Sequence, residues 1–411
     1  MHDSTLHPKT IARQFRKSDF QPGVLYLQAN EKGQAIERAM DICRTGFNRA
    51  DLHRGHVGGK AVYQHRVIEQ ALIIRHISES LRRVTGVRQS DRQEIIKSLS
   101  RLAGQGLGFN ALKLDIKSFY ETVNVGEALE TLRRDAAFSR QSIHLLQSFF
   151  DALAARQITG LPRGLAISAT LAEYVMRPFD RAISQLPGVR FYSRFVDDMI
   201  LILGEDVDPH QIKALAQSSL PSGLALSRSK CATEIFSPFS NQSSRSEEAA
   251  IIFLGYRIGV GGVYRIDNRF KRDVYLDIAP SKVRRIKRRL SRAFLSFNDG
   301  GPFSDLLDRV KMLTSNHGLK DYDSGQTRYV GLRYNYGLID ATGSAALNSL
   351  DRFLLNAVVN THPSNRLKPI LTGAQRKKIL GLTFRAGFED NRFFQFSDDD
   401  IRRIIRCWAH A

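Results

Sequence analysis

Phe191-Tyr192-Ser193-Arg194-Phe195-Val196-Asp197-Asp198-Met199-Ile200-Leu201-Ile202-Leu203 is a pair of aromatic and branched apolar runs with two aspartates between them. Runs of this composition form strands, and two so close together form a β-hairpin. Asp is a common turn former because its carboxylate accepts local backbone N–H bonds, so the two acids taken alone read as turn chemistry. Two features of the stretch point further. The flanking runs are apolar enough to be buried, which places the acids at the edge of a core. Neither Asp197 nor Asp198 is the Gly or Asn that two-residue hairpin turns favour.

Upstream, Ala111-Leu112-Lys113-Leu114-Asp115-Ile116 is another short strand-like run carrying an acid near its end. Neighbouring positions in one sheet would bring Asp115, Asp197 and Asp198 to a common edge. Clustered carboxylates repel unless cations neutralise them, and hard oxygen ligands suit Mg²⁺. Two such ions about 3.5–4 Å apart form a clamp for in-line displacement at phosphorus.

Around these runs the chain alternates in texture. The stretch to about residue 110 reads as mainly helical, with Val67, Leu72, Ile73, Ile74, Ile77 and Leu81 near helical spacing. An amphipathic helical region is expected over roughly 126–157. A turn at Gly160-Leu161-Pro162-Arg163-Gly164 then leads to a helix from Ile167 to Ile183 opened by Ser168. A helix over about 208–219 precedes the strand-like Gly223-Leu224-Ala225-Leu226. Residues 237–249 are polar and read as an exposed loop. Phe253–Ile258 and Val263–Ile266 read as a second hairpin turning at Gly259-Val260-Gly261-Gly262. Beyond Pro280 the chain looks mostly helical to its end. The fold class expected is α+β.

Sixty-one Lys and Arg stand against 41 Asp and Glu, giving a net charge of +20, which points to a polyanionic partner. The absence of a lipidation signal or a long apolar run argues against a membrane. The start of the chain lacks the pattern of a signal peptide, and Cys43, Cys231 and Cys407 are too few and scattered for a disulfide framework or zinc cluster. A cytoplasmic protein that meets nucleic acid is expected.

Lys113-Leu114-Asp115-Ile116-Lys117-Ser118-Phe119-Tyr120 resembles motif A of reverse transcriptases. The segment Gly160–Ser168 resembles motif B, and Phe195-Val196-Asp197-Asp198 resembles the Tyr-x-Asp-Asp of motif C. Gly223–Lys230 looks like motif D, and Phe253-Leu254-Gly255-Tyr256 like the primer-grip motif E. Five motifs in the family's order are jointly specific. The wording of motifs A and B is closest to the bacterial defence-associated and abortive-infection polymerases.

The resemblance implies a right-hand polymerase fold with a ferredoxin-like palm, fingers and a helical thumb. Residues 1–110 would form the N-terminal region and fingers. The palm would be 111–270, with a fingers insertion at about 126–160; 271–350 would be the thumb and 351–411 a helical C-terminal extension. It implies an RNA-directed DNA polymerase that adds dNTPs to a 3′-OH on a DNA or RNA template-primer with two Mg²⁺ ions, Mn²⁺ being a possible substitute. Asp115 and Asp197 would ligate both metals, the Ile116 carbonyl would assist, and Asp198 would support them. Tyr120 would exclude a ribose 2′-hydroxyl, and Lys230 would protonate departing pyrophosphate. Gly164 would let the backbone approach the nascent pair. Phe253, Leu254, Gly255 and Tyr256 would grip the primer.

Two residues depart from the family pattern. Phe195 replaces the motif C tyrosine but keeps its aromatic surface. Arg163 replaces a glutamine common in motif B, and a cation there would contact phosphate more naturally than an amide would. Bacterial relatives include polymerases that extend DNA without a conventional template, that prime from a protein hydroxyl, or that work with a small non-coding RNA or a partner reverse transcriptase. Homo- or hetero-oligomers are therefore open, as are two other functions: an RNA-synthesising polymerase, and a basic RNA-binding scaffold on an inactive palm.

Between Ser281 and Arg292 lie seven basic residues and no acid, with an apolar stripe at Val283, Ile286, Leu290 and Phe294. This reads as a helix packed on one face and cationic on the rest, with Arg284, Arg285, Lys287 and Arg288 tracking a nucleic-acid backbone. Arg75, Arg88 and Arg92 are candidates for gripping a triphosphate. Asp398-Asp399-Asp400 after Ser397 reads as a capped helix start rather than a metal site. Tyr334 and Tyr336 could stack on bases or offer a priming hydroxyl, but such tyrosines are more often core.

Overall fold

The computed structural model describes residues 4–21, 25–135, 138–238, 247–320, 327–359 and 369–408. Two units are present. Met1–Asp91 and Phe109–Thr233 belong to the first; Arg92–Gly108, Glu234–Asp321 and Gln326–Ala411 belong to the second. These boundaries run differently from the four segments expected above.

The first unit opens with α1 (Pro8–Ala12) and α2 (Lys32–Thr45), continues through β1 (Leu52–Val57) and β2 (Lys60–His65), and reaches α3 (Ile68–Thr85). The start is mainly helical, as expected, but the sequence reading does not anticipate this hairpin. His53, Arg54, His56 and Gln64 are exposed, so neither strand shows the apolar alternation that reveals a half-buried sheet. Helix α3 supplies much of the core, with Leu72, Ile73, Ile74, Ile77 and Leu81 almost fully enclosed. The chain then passes through α4 (Arg92–Ala103), which belongs to the second unit.

It returns as β3 (Phe109–Asp115), α5 (Phe119–Thr122), α6 (Val125–Arg134), α7 (Arg140–Ala154), α8 (Ala166–Ser184), β4 (Val189–Phe195), β5 (Asp198–Gly204), α9 (Pro209–Ser219) and β6 (Ala232–Phe236). The helical region expected over 126–157 is two helices, because Asn124 and Ser139 each cap a separate start. Helix α8 begins at Ala166 without a side-chain cap. Ser168 lies inside it, buried, and opens nothing. The sheet order is β4-β5-β3-β6, and β3 and β4 both run antiparallel to β5. With helices between β3 and β4 and between β5 and β6, this is the βαββαβ connectivity of a ferredoxin-like fold. Of the strand expected at 223–226, only an isolated bridge between Ile116 and Leu226 forms.

In the second unit β7 (Glu247–Phe253), β8 (Tyr256–Gly261) and β11 (Val274–Ile278) make a sheet in the order β11-β8-β7, and β9 (Tyr264–Ile266) pairs with β10 (Arg269–Lys271). The turn expected at 259–262 is therefore displaced. Gly259 and Gly261 are strand residues paired on β8, and the hairpin reverses at Leu254-Gly255 instead. Of the expected exposed loop, 239–246 lie outside the described residues and Glu247–Ala249 are already strand. Helices α10 (Pro280–Asn298), α11 (Phe303–Thr314), α12 (Leu332–Tyr336), α13 (Ala345–Val358), α14 (Gly373–Leu380), α15 (Phe384–Glu389) and α16 (Asp398–Arg406) follow. They are interrupted by β12 (Asn316–Lys320), β13 (Thr327–Gly331) and β14 (Phe393–Phe394), a sheet that the helical expectation for this region missed. Its parallel pair joins Asn316 to Phe393, a pairing too remote in sequence to leave a local pattern. The three aspartates at 398–400 do open a helix, with Ser397 and Asp400 in a reciprocal capping box.

Candidate active site

Strand β3 delivers Asp115 to the sheet edge directly opposite Asp198, the first residue of β5. The turn between β4 and β5 is Val196-Asp197, not the aspartate pair, since Phe195 already faces Asp198 across the ladder. Val196 has φ 60, a left-handed value that is costly for a β-branched residue and normal for glycine at the first position of such turns. The loops lock onto this edge through the backbone. Ile116 N–H donates to the Asp197 carbonyl at 3.1 Å, Lys117 N–H to Ala225 at 2.9 Å, and Ser227 N–H to the Asp115 carbonyl at 2.7 Å. Motifs A, C and D are thus one hydrogen-bonded assembly.

Like charges directly opposite on paired strands destabilise the sheet. Asp115 is 4% exposed, and Asp198 is half-buried. Burial first, then the Asp197 and Asp115 charges, raise the Asp198 carboxyl above its ordinary value, while Lys113 and Lys230 oppose the rise. Lys230 Nζ donates to Asp115 Oδ2 at 3.1 Å. It stands 3.1 Å from Oδ1 too, but Oδ1 is buried without a hydrogen bond. The bond to Asp115, above all, raises the Lys230 ammonium above its usual value and makes it a weaker acid in this arrangement.

Among the described residues no group of three or more His, Cys, Asp or Glu is arranged to hold a metal ion. The donor chemistry nevertheless fits a hard cation. The acids are oxygen donors on one sheet edge, an Asp115 oxygen is buried without a hydrogen bond, and an ammonium is already drawn to that carboxylate. Asp115, Asp197 and Asp198 are the residues that would hold it. Ile116 is anchored beside them by its N–H on Asp197.

Residues 66–258 match the model of the family described as "Reverse transcriptase (RNA-dependent DNA polymerase)". This segment is similar to a reverse transcriptase domain. The match indicates an enzyme, an RNA-directed DNA polymerase of the nucleotidyltransferase class, and implies a right-hand polymerase fold acting on dNTPs and a nucleic-acid template-primer. No curated protein matches the chain.

In the matched segment Tyr120 lies half-buried on α5, its ring edge-on to Phe119 at 5.5 Å. Burial, followed by the charge of Glu173, keeps its phenol protonated to higher pH than usual. Arg163 is placed over this ring, 4.7 Å from its centroid. Its guanidinium forms a two-pronged pair with Glu121, Nε at 2.8 Å and Nη2 at 3.1 Å. The cation expected to meet phosphate is therefore matched by a carboxylate of its own chain in this arrangement. Gly164 has φ 97, and a Cβ there would meet the Tyr63 carbonyl at 2.6 Å. Strand β2 occupies the space that glycine leaves open, and the Tyr63 N–H binds the Arg163 carbonyl at 2.7 Å.

The three candidate triphosphate arginines have separate places. Arg75 is a largely enclosed structural cation, its side chain 10% exposed, paired with the 1%-exposed Asp19 through both nitrogens at 2.7 and 3.0 Å. Arg88 is exposed just beyond α3. Arg92, in the second unit, donates to the Leu254 carbonyl at 2.8 Å and lies over the rings of Tyr256 and Tyr336 at 5.2 and 5.6 Å. It supports the 253–256 hairpin from within. That hairpin is a two-residue turn with Leu254 at φ 44 and Gly255 at φ 80, flanked by the fully buried Phe253 and Tyr256. Two left-handed residues in succession match the twist of the paired strands, and Gly255 takes the second position without penalty. Tyr336 is core, edge-on to Tyr256, whereas Tyr334 is exposed and stacked on Tyr329.

On α10 the apolar stripe is buried at Leu290 and Phe294, and Arg284, Arg285 and Arg288 are exposed. Lys287 differs: it donates to Ser349 on α13 at 2.7 Å and lies near the Phe353 ring. Lys113, Glu121 and Arg194 carry no signal of their own in the sequence, because their roles depend on partners from other elements.

Proposed function

We propose that the reverse transcriptase-like domain makes DNA from dNTPs by a two-metal mechanism, with Asp115, Asp197 and Asp198 as the metal-holding carboxylates. What carries this reading is the pairing of Asp115 with Asp198 beside the Asp197 turn, an edge whose repulsion bound cations would relieve. Two Mg²⁺ ions, when bound, help deprotonate the attacking hydroxyl and neutralise the leaving pyrophosphate. Tyr120 occludes a 2′-hydroxyl with its ring. Gly164 keeps the motif B backbone close to β2, and Arg163 is held over the gate by Glu121. Lys230, now bonded to Asp115, would supply a proton to the leaving group. The 253–256 hairpin grips the primer strand. Arg284, Arg285 and Arg288 follow the duplex backbone as part of a thumb.

The setting proposed is bacterial antiphage defence, supported by the wording of motifs A and B. The Arg163–Glu121 pair, where the family commonly carries a glutamine, favours non-standard templating or priming, with a small non-coding RNA or a partner reverse transcriptase as associates. The deciding experiment supplies the protein with single or mixed dNTPs and Mg²⁺, with and without primer and template, and sequences any product. Asp197→Asn should abolish synthesis while leaving the melting curve of a folded protein; continued synthesis by that variant overturns the metal assignment.

A further inference from the structure

We infer that Arg194 is a positioning residue that holds the Val196-Asp197 turn, and with it Asp197, against helix α8. Arg194 is 7% exposed, and every one of its five N–H donors has a partner. Nε donates to Asp180 Oδ1 at 2.8 Å and Nη2 to Asp180 Oδ2 at 2.7 Å. Nη1 and Nη2 reach the two oxygens of Glu173 at 3.2 and 2.7 Å. The remaining proton of Nη1 goes to the Val196 carbonyl at 3.0 Å. Both acids lie on α8, about two helical turns apart, so the guanidinium bridges that helix to the turn.

The carbonyl it binds belongs to the residue at φ 60, whose conformation persists only where the surroundings impose it. The next carbonyl, that of Asp197, is held from the other side by Ile116 N–H. The turn is thus fixed at both its peptide oxygens. A buried ion network is weak grounds for stability in itself, since desolvation offsets much of the attraction. Geometry is what this one supplies. A lysine brings only three donors around a point charge and cannot fill five sites in a plane.

The inference rests on the reading of Asp197 as a catalytic carboxylate, and the test separates the two. Full-length Arg194→Lys is compared with wild type and Asp197→Asn by thermal melting, by primer extension for kcat and KM, and by titration with Mn²⁺ alone. A triple variant, Arg194→Met with Glu173→Gln and Asp180→Asn, removes the buried charges together in case the lysine variant does not fold. In whichever variant is folded, kcat should fall about 10²-fold with the dNTP KM unchanged, as for a displaced catalytic group. Mn²⁺ should bind about 10- to 100-fold more weakly, the usual cost of losing a residue that orients a metal ligand. Unchanged kcat and Mn²⁺ binding in a folded variant sink the inference, as does a loss of activity that only tracks the fraction unfolded. An active Asp197→Asn sinks the parent reading with it; an inactive Asp197→Asn beside an unimpaired Arg194→Lys sinks this inference alone.

Discussion

Single residues at the palm edge carry opposed demands of folding and chemistry. Burial and two neighbouring acids raise the Asp198 carboxyl, so the folded chain favours its neutral form. The sign follows directly: the stability this provides is complete below the ordinary Asp value of about 4 and is lost as pH rises through the higher folded value. In the presence of a chelator, Asp198→Asn should therefore melt above wild type at pH 7. The gap should close as the pH is brought below about 4, and thermal unfolding across that range checks it. Tyr120 makes a different demand. Its ring packs on Phe119 under Arg163, and Tyr120→Val leaves room where a 2′-hydroxyl would clash. Discrimination against rNTPs should weaken by roughly 10- to 200-fold, the range that pocket contacts supply, measured as the ratio of kcat/KM for matched dNTP and rNTP.

Elements differ in how far the sequence discloses them. Strands β3 and β5 are legible because they are buried on both sides, leaving mainly apolar runs with an acid at one end of each. The hairpin of β1 and β2 is not, because its polar residues fall on both faces. The turn of the 253–256 hairpin is expected several residues late, since Gly259 and Gly261 look like turn residues until β8 is seen between two partners. Arg194 gives no local signal; its acids come from α8, earlier in the chain. Arg75 reads as a triphosphate contact because nothing in the sequence links it to Asp19. Helix α10 keeps its expected cationic face apart from Lys287, which is turned to α13. Replacing Arg284, Arg285 and Arg288 with Ala should lower the slope of log affinity against log salt by about one for each phosphate no longer neutralised. Lys287→Ala should leave that slope nearly as it was. Binding titrations on a primer-template duplex at several salt concentrations distinguish the two.

Across the whole molecule the charge of +20 is distributed unequally in purpose. Some arginines face solvent, and others, including Arg75, Arg194 and Arg163, are committed to acids of the same chain. No helix among the described residues is long and apolar enough to cross a membrane, and the exposed cations suit a polyanion in water. The committed arginines bear on stability. Asp19→Ala would leave Arg75 as an uncompensated, largely enclosed cation and should cost about 3–5 kcal/mol, read from denaturant unfolding. Asp19 sits in the first turns of the chain and Arg75 in the middle of α3, yet neither charge is tolerable without the other. Evolution should therefore treat the two positions as a single heritable unit: related chains would keep both, or exchange both together for apolar side chains, while a change at one alone would be selected against even though neither residue touches a substrate.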